Sequence, residues 1–125
     1  MIKGAHILMF SSDAEKDRKF FQEVLGWRHV DAGHGWLIFA SPPAEFAVHP
    51  GEEKESEVRA EPAMLGAEVY LMCDDLDATM QWLAKKKVQC GKVSQERWGR
   101  KTTIRLPSGG ALGLYQPTHP VAIKM

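Results

Sequence analysis

The chain has 125 residues, of which 44% are hydrophobic and 26% charged, which fits one folded domain and excludes an intrinsically disordered protein. Sixteen Lys and Arg balance sixteen Asp and Glu, and this net charge of zero argues against a nucleic acid or an acidic membrane as partner. No stretch approaches the roughly 18 apolar residues of a membrane span, and no apolar run near the N-terminus has the length of a signal peptide. Without a secretory signal, Cys73 and Cys90 are expected to be reduced thiols, which predicts a cytoplasmic protein.

The first half of the chain predicts a strand, a helix and then three more strands. Residues 5–10 form the short apolar run AHILMF, and Asp13 is placed to cap a helix over residues 14–25 that ends at Gly26. Turn residues, among them two adjacent prolines, separate the three strands that follow. These strands are predicted over residues 27–30, 36–40 and 45–50.

The second half repeats this order after a charged segment. Residues 51–65 are predicted to be a linker, because the run GEEKESEVRAEP within them has no apolar period. A strand over residues 67–73 leads into Asp74-Asp75, a pair typical of a helix N-cap, and the helix ends at the lysines of residues 85–87. Three further strands are predicted around residues 88–93, 101–106 and 111–115.

The order of elements, βαβββ, linker, βαβββ, predicts one α+β domain over residues 1–125. Its two half-repeats cover about residues 3–50 and 66–117. When the helix caps Asp13 and Asp75 are aligned, positions of the first half correspond to positions of the second half throughout this length. A long period with only two copies indicates a duplicated half-domain and not a solenoid, which needs at least three repeats.

Three stretches of the chain resemble the glyoxalase, bleomycin-resistance and extradiol-dioxygenase superfamily, the vicinal-oxygen-chelate proteins. They are His6-Ile7-Leu8 followed by the capped helix ending in VLGW, the CDDLDA turn before the second helix, and the C-terminal WGRKTTIRLPSGGALGLYQP. The resemblance implies that the half-repeats form a cup-shaped mixed sheet, often in a homodimer. It also implies either metal-dependent chemistry in the cup or binding of a small molecule there.

In metal-dependent members the resemblance implies four ligands, one from the first and one from the last strand of each half. These positions fall on His6, Ala47, Glu68 and Gly113, so an intact four-ligand site is excluded by the residues themselves. A shifted metal site is still possible, because His49 is two residues after Ala47 and points to the same face of the predicted strand. His6, His49 and Glu68 would then supply two His and one Glu, which suit zinc or ferrous iron. Against it, two positions along a strand displace a side chain by ~7 Å.

The strand that carries Glu68 also predicts a wall for a ligand. Tyr70 and Met72 alternate with Glu68, and Tyr115 belongs to the last strand of the same half. A mostly apolar wall with a few polar groups is typical of a small-molecule pocket.

A second candidate feature is Trp98, which lies between Arg97 and Arg100 at a predicted hairpin tip. An indole flanked by guanidinium groups can hold a planar or anionic ligand, whereas the plainer interpretation is a packing Trp beside basic edge residues. The complete set of predicted ligand-binding residues is His6, His49, Glu68, Tyr70, Met72, Trp98 and Tyr115.

Two functions follow from these observations and the resemblance. The first is a small-molecule binding protein with a degenerate metal site, in which Ala47 and Gly113 open volume for the ligand and no cofactor is held. The alternative is a metal-dependent lyase or dioxygenase that uses a reduced or shifted His/Glu site with a divalent metal. A metal-free enzyme with His6 as general base, positioned by Glu68, is also left open, so the sequence does not decide whether the protein is an enzyme. The expected partners are a small molecule and a second copy of the chain.

Overall fold

The computed structural model describes residues Met1–Pro50 and Leu65–Lys124. The chain divides into two compact units, the first formed by Met1–Ser41 with Leu106–Gly110 and the second by Pro42–Arg105 with Ala111–Met125. The predicted linker falls almost wholly outside the described residues, so its assignment and the half-repeat boundaries stay predictions.

The helix of the first unit confirms the prediction over residues 14–25, with one difference in geometry. Asp13 caps it by accepting a hydrogen bond from the Lys16 amide at 3.3 Å, and helix α1 spans Ala14–Lys19. A π-helical turn, Phe20–Val24, continues it, and Gly26 ends it with φ of 69°. The wider turn accompanies burial of two adjacent aromatic side chains, Phe20 and Phe21.

A hairpin completes the secondary structure of the first unit. Strand β1, His29–Asp31, pairs antiparallel with β2, Leu37–Phe39, as the predicted turn between them requires. The Phe39 ring lies 5.7 Å from that of Phe21, so the hairpin packs against the π-helical turn.

Two predicted strands of the first half are wrong. Residues 5–10 and residues 45–50 form no strand in the structure, and side chains 5–10 are exposed. A strand forms by ladder pairing with a neighbouring strand, and the apolar pattern of one segment does not specify that pairing.

The second half forms the complete βαβββ order. Strand β3 is Tyr70–Met72, helix α2 is Leu76–Lys85, and the last three strands are β4, Ser94–Glu96, β5, Gly99–Arg105, and β6, Ala111–Pro117. The sheet order is β3-β6-β5-β4, with β3 parallel to β6 and the other pairs antiparallel, so the sheet is mixed. The strand predicted around residues 88–93 is wrong, because only an isolated bridge, Cys90 with Ile104, lies there.

Strand alternation separates two faces of this sheet. Ile104, Leu112 and Leu114 are buried on one face, and α2 packs on β6 with its own buried residues Leu76 and Leu83. Asp75 caps α2 by accepting from the Ala78 amide at 3.0 Å, as predicted. The residues between the buried ones on β3, β5 and β6 therefore point to the other face.

Both cysteines are free, as predicted. Burial raises the pKa of the Cys73 and Cys90 thiols, which keeps them protonated and weakly nucleophilic at neutral pH. Among the residues that the structure describes, no helix combines the length and apolar character needed to cross a membrane.

Asp17, a buried carboxylate of α1, is the polar centre of the first unit. The hydroxyls of Ser11 and Ser108 each donate to its Oδ2 at 2.6 Å, and the Ser108 amide donates to Oδ1 at 3.0 Å. Burial by itself would raise the pKa of Asp17, but the hydrogen bonds from Ser108 and Ser11 lower it below its ordinary value. The ionised form is therefore the one that stabilises the fold.

We expect Asp17→Asn to lower the free energy of unfolding by about 1–3 kcal/mol at about pH 7, because an amide cannot accept from all three donors. Since the pKa is lowered on folding, the contribution of Asp17 is present above the unfolded value and is lost as the pH falls through the folded one. Urea titrations of both proteins at about pH 7 and about pH 3 measure this, with exposed Glu15→Gln on the same helix as control. If the free energy of unfolding differed between wild type and Asp17→Asn by the same amount at both pH values, Asp17 would not stabilise the fold through its ionised form.

Candidate functional site

An open cavity of about 420 Å³ lies within the second unit, over the sheet face that carries Tyr70 and Tyr115. Its volume is in the range of small-molecule sites. Most of its lining is apolar or aromatic, with two carboxylates and one imidazole. The lining residues are Glu45, Phe46, Ala47, Glu68, Tyr70, Met72, Trp98, Tyr115, His119 and Pro120.

Three aromatic rings form the centre of the wall, and we call Tyr70, Trp98 and Tyr115 the aromatic cluster. Their centroids are 5.8 Å (Tyr70–Trp98), 5.7 Å (Tyr70–Tyr115) and 5.2 Å (Trp98–Tyr115) apart, with interplanar angles of 82°, 87° and 78°. Edge-to-face contact of this kind holds each ring in place, because the positive edge of one meets the negative face of the next. The cluster is therefore a preformed surface.

The Tyr70 ring occupies the place of a side chain at Gly113. These residues are partners in the parallel β3–β6 register. A Cβ built on Gly113 would overlap the ring, at 2.5 Å from Cε1 and 2.7 Å from Cγ of Tyr70. The absence of a side chain at residue 113 is thus what leaves room for the ring at this place.

Glu68 fixes the other end of Tyr70. The Tyr70 hydroxyl donates to Glu68 Oε2 at 3.1 Å. Burial, then this hydrogen bond and the negative charges of Glu68 and Glu96, raise the pKa of Tyr70. The phenol consequently stays protonated at neutral pH and keeps its donor directed at the carboxylate.

A second polar group surrounds the Tyr115 hydroxyl. His119 Nδ1 lies 2.8 Å from the Pro120 carbonyl oxygen, which only accepts, so Nδ1 carries the hydrogen. In the neutral ring Nε2 is then an acceptor, and it lies 3.2 Å from the Tyr115 hydroxyl. Burial, followed by the charge of Glu45 and a hydrogen bond to it, raises the pKa of Tyr115. Glu45 Oε1 is 3.9 Å from His119 Nε2.

Gly99 positions Trp98 at the start of β5. A Cβ at Gly99 would lie 3.1 Å from the Pro117 Cα and closer to the Gln116 carbonyl, so the backbones approach too closely for another residue. Trp98 faces the cavity, whereas Arg100 pairs with Asp77 at 3.2 Å. The side chain of Lys101, rather than an arginine, lies over the indole, with Nζ 5.4 Å from the ring centroid.

The family of the chain is decided by a match to a family model. The model of the Glyoxalase/Bleomycin resistance protein/Dioxygenase superfamily matches residues 3–112. The chain belongs to this superfamily. A comparison with curated proteins gave no match.

Solved structures agree with membership of the superfamily. TnmS3, an antibiotic binding protein from Streptomyces sp. CB03234, is 24% identical with a TM-score of 0.59, over 94% of this chain and 100% of that one. A glyoxalase/bleomycin resistance protein from the same organism is 26% identical with a TM-score of 0.52, over 85% and 93%. Lactoylglutathione lyase from Agrobacterium tumefaciens is 15% identical with a TM-score of 0.53, over 86% and 88%. At their identities the first and the last show the fold alone.

Two of the four positions that the resemblance assigns to metal ligands, residues 47 and 113, do not fit a metal ion. Ala47 and Gly113 lack donor atoms, and the Tyr70 ring takes the volume that a ligand side chain at residue 113 needs. In the described parts of the chain, no three His, Cys, Asp or Glu side chains lie close enough together to hold a metal ion. The alternative shifted site stays a prediction, and no chemistry is derived through it.

The structure places five of the seven predicted ligand-binding residues in the lining of one cavity: Glu68, Tyr70, Met72, Trp98 and Tyr115. His49 is exposed, with Nδ1 at 2.6 Å from the Pro50 carbonyl oxygen, and His6 lies on an exposed segment of the first unit. Ala47 lines the cavity, but the volume expected at Gly113 is filled by Tyr70.

Sequence reasoning missed Glu45 and His119. Glu45 lies in a segment that was predicted as a strand and is irregular, and its Oε2 accepts from the Ala122 amide at 2.8 Å. His119 follows the last strand, in a region with no ligand spacing. The one available signal was its position four residues after Tyr115, beyond the end of β6, where a chain can turn back over its own strand.

We expect Gly113→Ala to destabilise the protein by about 1–3 kcal/mol, because the new methyl group must displace the Tyr70 ring. In a Tyr70→Ala background the same change should cost close to nothing, since Ala is the better strand residue once the ring is gone. Urea denaturation of the wild type, both single variants and the double variant measures this coupling. Additive effects of the two substitutions would show that the ring does not rest on residue 113.

Proposed function

We propose that this protein is a small-molecule binding protein whose ligand lies in the cavity against the aromatic cluster, without a resident metal ion. The observation that carries the proposal is the preformed cluster of three rings in an open cavity of about 420 Å³. Rings that are already held in place lose little conformational entropy when a ligand covers them, so burial of apolar area is converted efficiently into affinity.

The chemistry of the lining favours binding over catalysis through a metal. The superfamily position that would supply a carboxylate at residue 113 is instead a glycine covered by Tyr70. Similarity to an antibiotic binding protein is compatible with this, although a lyase shares the same fold, so fold similarity does not choose between them. The residues of the cavity lining themselves support a binding function without a metal ion.

We also propose a homodimer and a cytoplasmic location. In support of a second copy, Ile7, Leu8 and Met9 are exposed by 57%, 59% and 47% as consecutive apolar residues. Adjacent exposed apolar side chains are typical of a surface that another chain covers.

Ligands that fill the cavity should raise the melting temperature by several degrees, because about 100-fold excess over Kd adds about 2.7 kcal/mol of stability. A thermal-shift screen of small aromatic compounds of every charge tests this, with Trp98→Ala expected to abolish each shift. Trp82→Ala is the matched control, because Trp82 lies on α2, is 43% exposed and does not line the cavity. A screen without hits, or hits that persist in Trp98→Ala, would overturn the proposed site.

Elemental mass spectrometry of untagged protein should find less than about 0.1 equivalent of transition metal, since structural and catalytic sites need three or more ligands. Added zinc, nickel or manganese should leave the melting temperature unchanged. About one equivalent of metal that disappears in both His6→Ala and Glu68→Ala would instead support the lyase or dioxygenase alternative.

A further inference from the structure

We propose that the ligand is an organic cation with N–H donors, a protonated amine or guanidinium, on a flat apolar body. This inference rests on the proposed binding function and names the class of ligand for the same cavity. The cationic group is recognised by Glu45 and Glu68, and the apolar body lies against the aromatic cluster.

The charge of the cavity lining favours a cationic ligand. Glu45 and Glu68 line the cavity, whereas the described part of its lining holds no Lys or Arg. The nearby Lys101 is balanced by Glu96, with Nζ and Oε1 3.9 Å apart. A cation therefore enters a site with an excess of negative charge, and an anion of the same shape is repelled.

The direction of the hydrogen bonds is the second argument. The Tyr70 hydroxyl donates to Glu68, and His119 Nδ1 faces the Pro120 carbonyl. The Tyr115 hydroxyl faces His119 Nε2 at 3.2 Å. The Tyr70 hydroxyl and His119 Nδ1 therefore direct their hydrogens at protein acceptors, whereas the carboxylates of Glu45 and Glu68 offer acceptor oxygens to the cavity, which N–H donors of a ligand complement.

The aromatic rings supply the third argument. The Lys101 ammonium already lies 5.4 Å from the Trp98 ring centroid, within the distance of a cation–π contact. The Tyr70 and Tyr115 rings beside the indole present the same type of electron-rich surface. A cluster that attracts the cation of its own chain suits a ligand cation attached to a flat apolar group.

The test uses four probes with one carbon skeleton: 1-naphthylmethylamine, its N,N,N-trimethyl derivative, 1-naphthalenemethanol and 1-naphthoic acid. Isothermal titration at neutral pH should give the tightest binding for the amine, weaker binding for the trimethyl derivative and the alcohol, and the weakest for the acid. Glu68→Gln should weaken the amine by about 5- to 20-fold and leave the alcohol unchanged, because a charge-assisted hydrogen bond is lost. Glu23→Gln, an exposed carboxylate on the π-helical turn of the first unit, is the matched control.

The outcomes separate the two proposals. Tighter binding of the acid or the alcohol than of the amine, or an unchanged amine affinity in Glu68→Gln, would overturn the cation assignment. If the probes that bind still lose affinity in Trp98→Ala, the proposed binding site is retained even though the cation assignment is wrong. A trimethyl derivative that binds as tightly as the amine would overturn the requirement for N–H donors. If none of the four binds and the broader thermal-shift screen is also empty, both proposals fail.

Discussion

The Tyr70 ring fills the place that a side chain at Gly113 would occupy, and the site depends on this packing. It exists because β3 and β6 are parallel neighbours in a register that places these residues side by side. The Tyr70 ring stands at nearly right angles to the rings of Trp98 and Tyr115, and its hydroxyl reaches Glu68. A side chain at residue 113 would displace all of these contacts together, because they share one ring.

The mixed sheet separates stability from binding by alternation alone. On β6, Leu112 and Leu114 are buried beside α2, while Tyr115 faces the cavity. On β3, Tyr70 and Met72 both line the cavity. Substitutions on the cavity face therefore change which ligand is bound, while the aliphatic residues of the opposite face keep the core packed. In this way one fold holds a metal site in some proteins and an apolar pocket in others.

The cavity combines an apolar wall with acceptors. Glu68 accepts a hydrogen bond from the Tyr70 hydroxyl, and Glu45 is the negative charge near Tyr115. Burial is the largest cause of the raised pKa of both phenols, and the neighbouring carboxylates raise it further. A phenol that stays protonated preserves its donation to the carboxylate, and the pair then acts as a fixed unit of negative charge beside an aromatic face.

The sequence by itself determined the capped helices at Asp13 and Asp75, because an Asp before a helix satisfies its first free N–H groups. Strand alternation placed Tyr70 and Met72 with Glu68, and these three residues line the cavity. The order of elements predicted the α+β class, and three stretches that resemble the superfamily indicated the family. The resemblance assigns two metal-ligand positions to Ala47 and Gly113, neither of which has a side-chain donor atom. The tertiary structure decided two features that the periodicity of the sequence does not specify: residues 5–10 and 45–50 do not form strands, and two irregular segments reach the cavity. Glu45 and His119 belong to such segments, and their approach to Tyr115 is set by contacts between residues as much as 77 positions apart, as between Glu45 and Ala122.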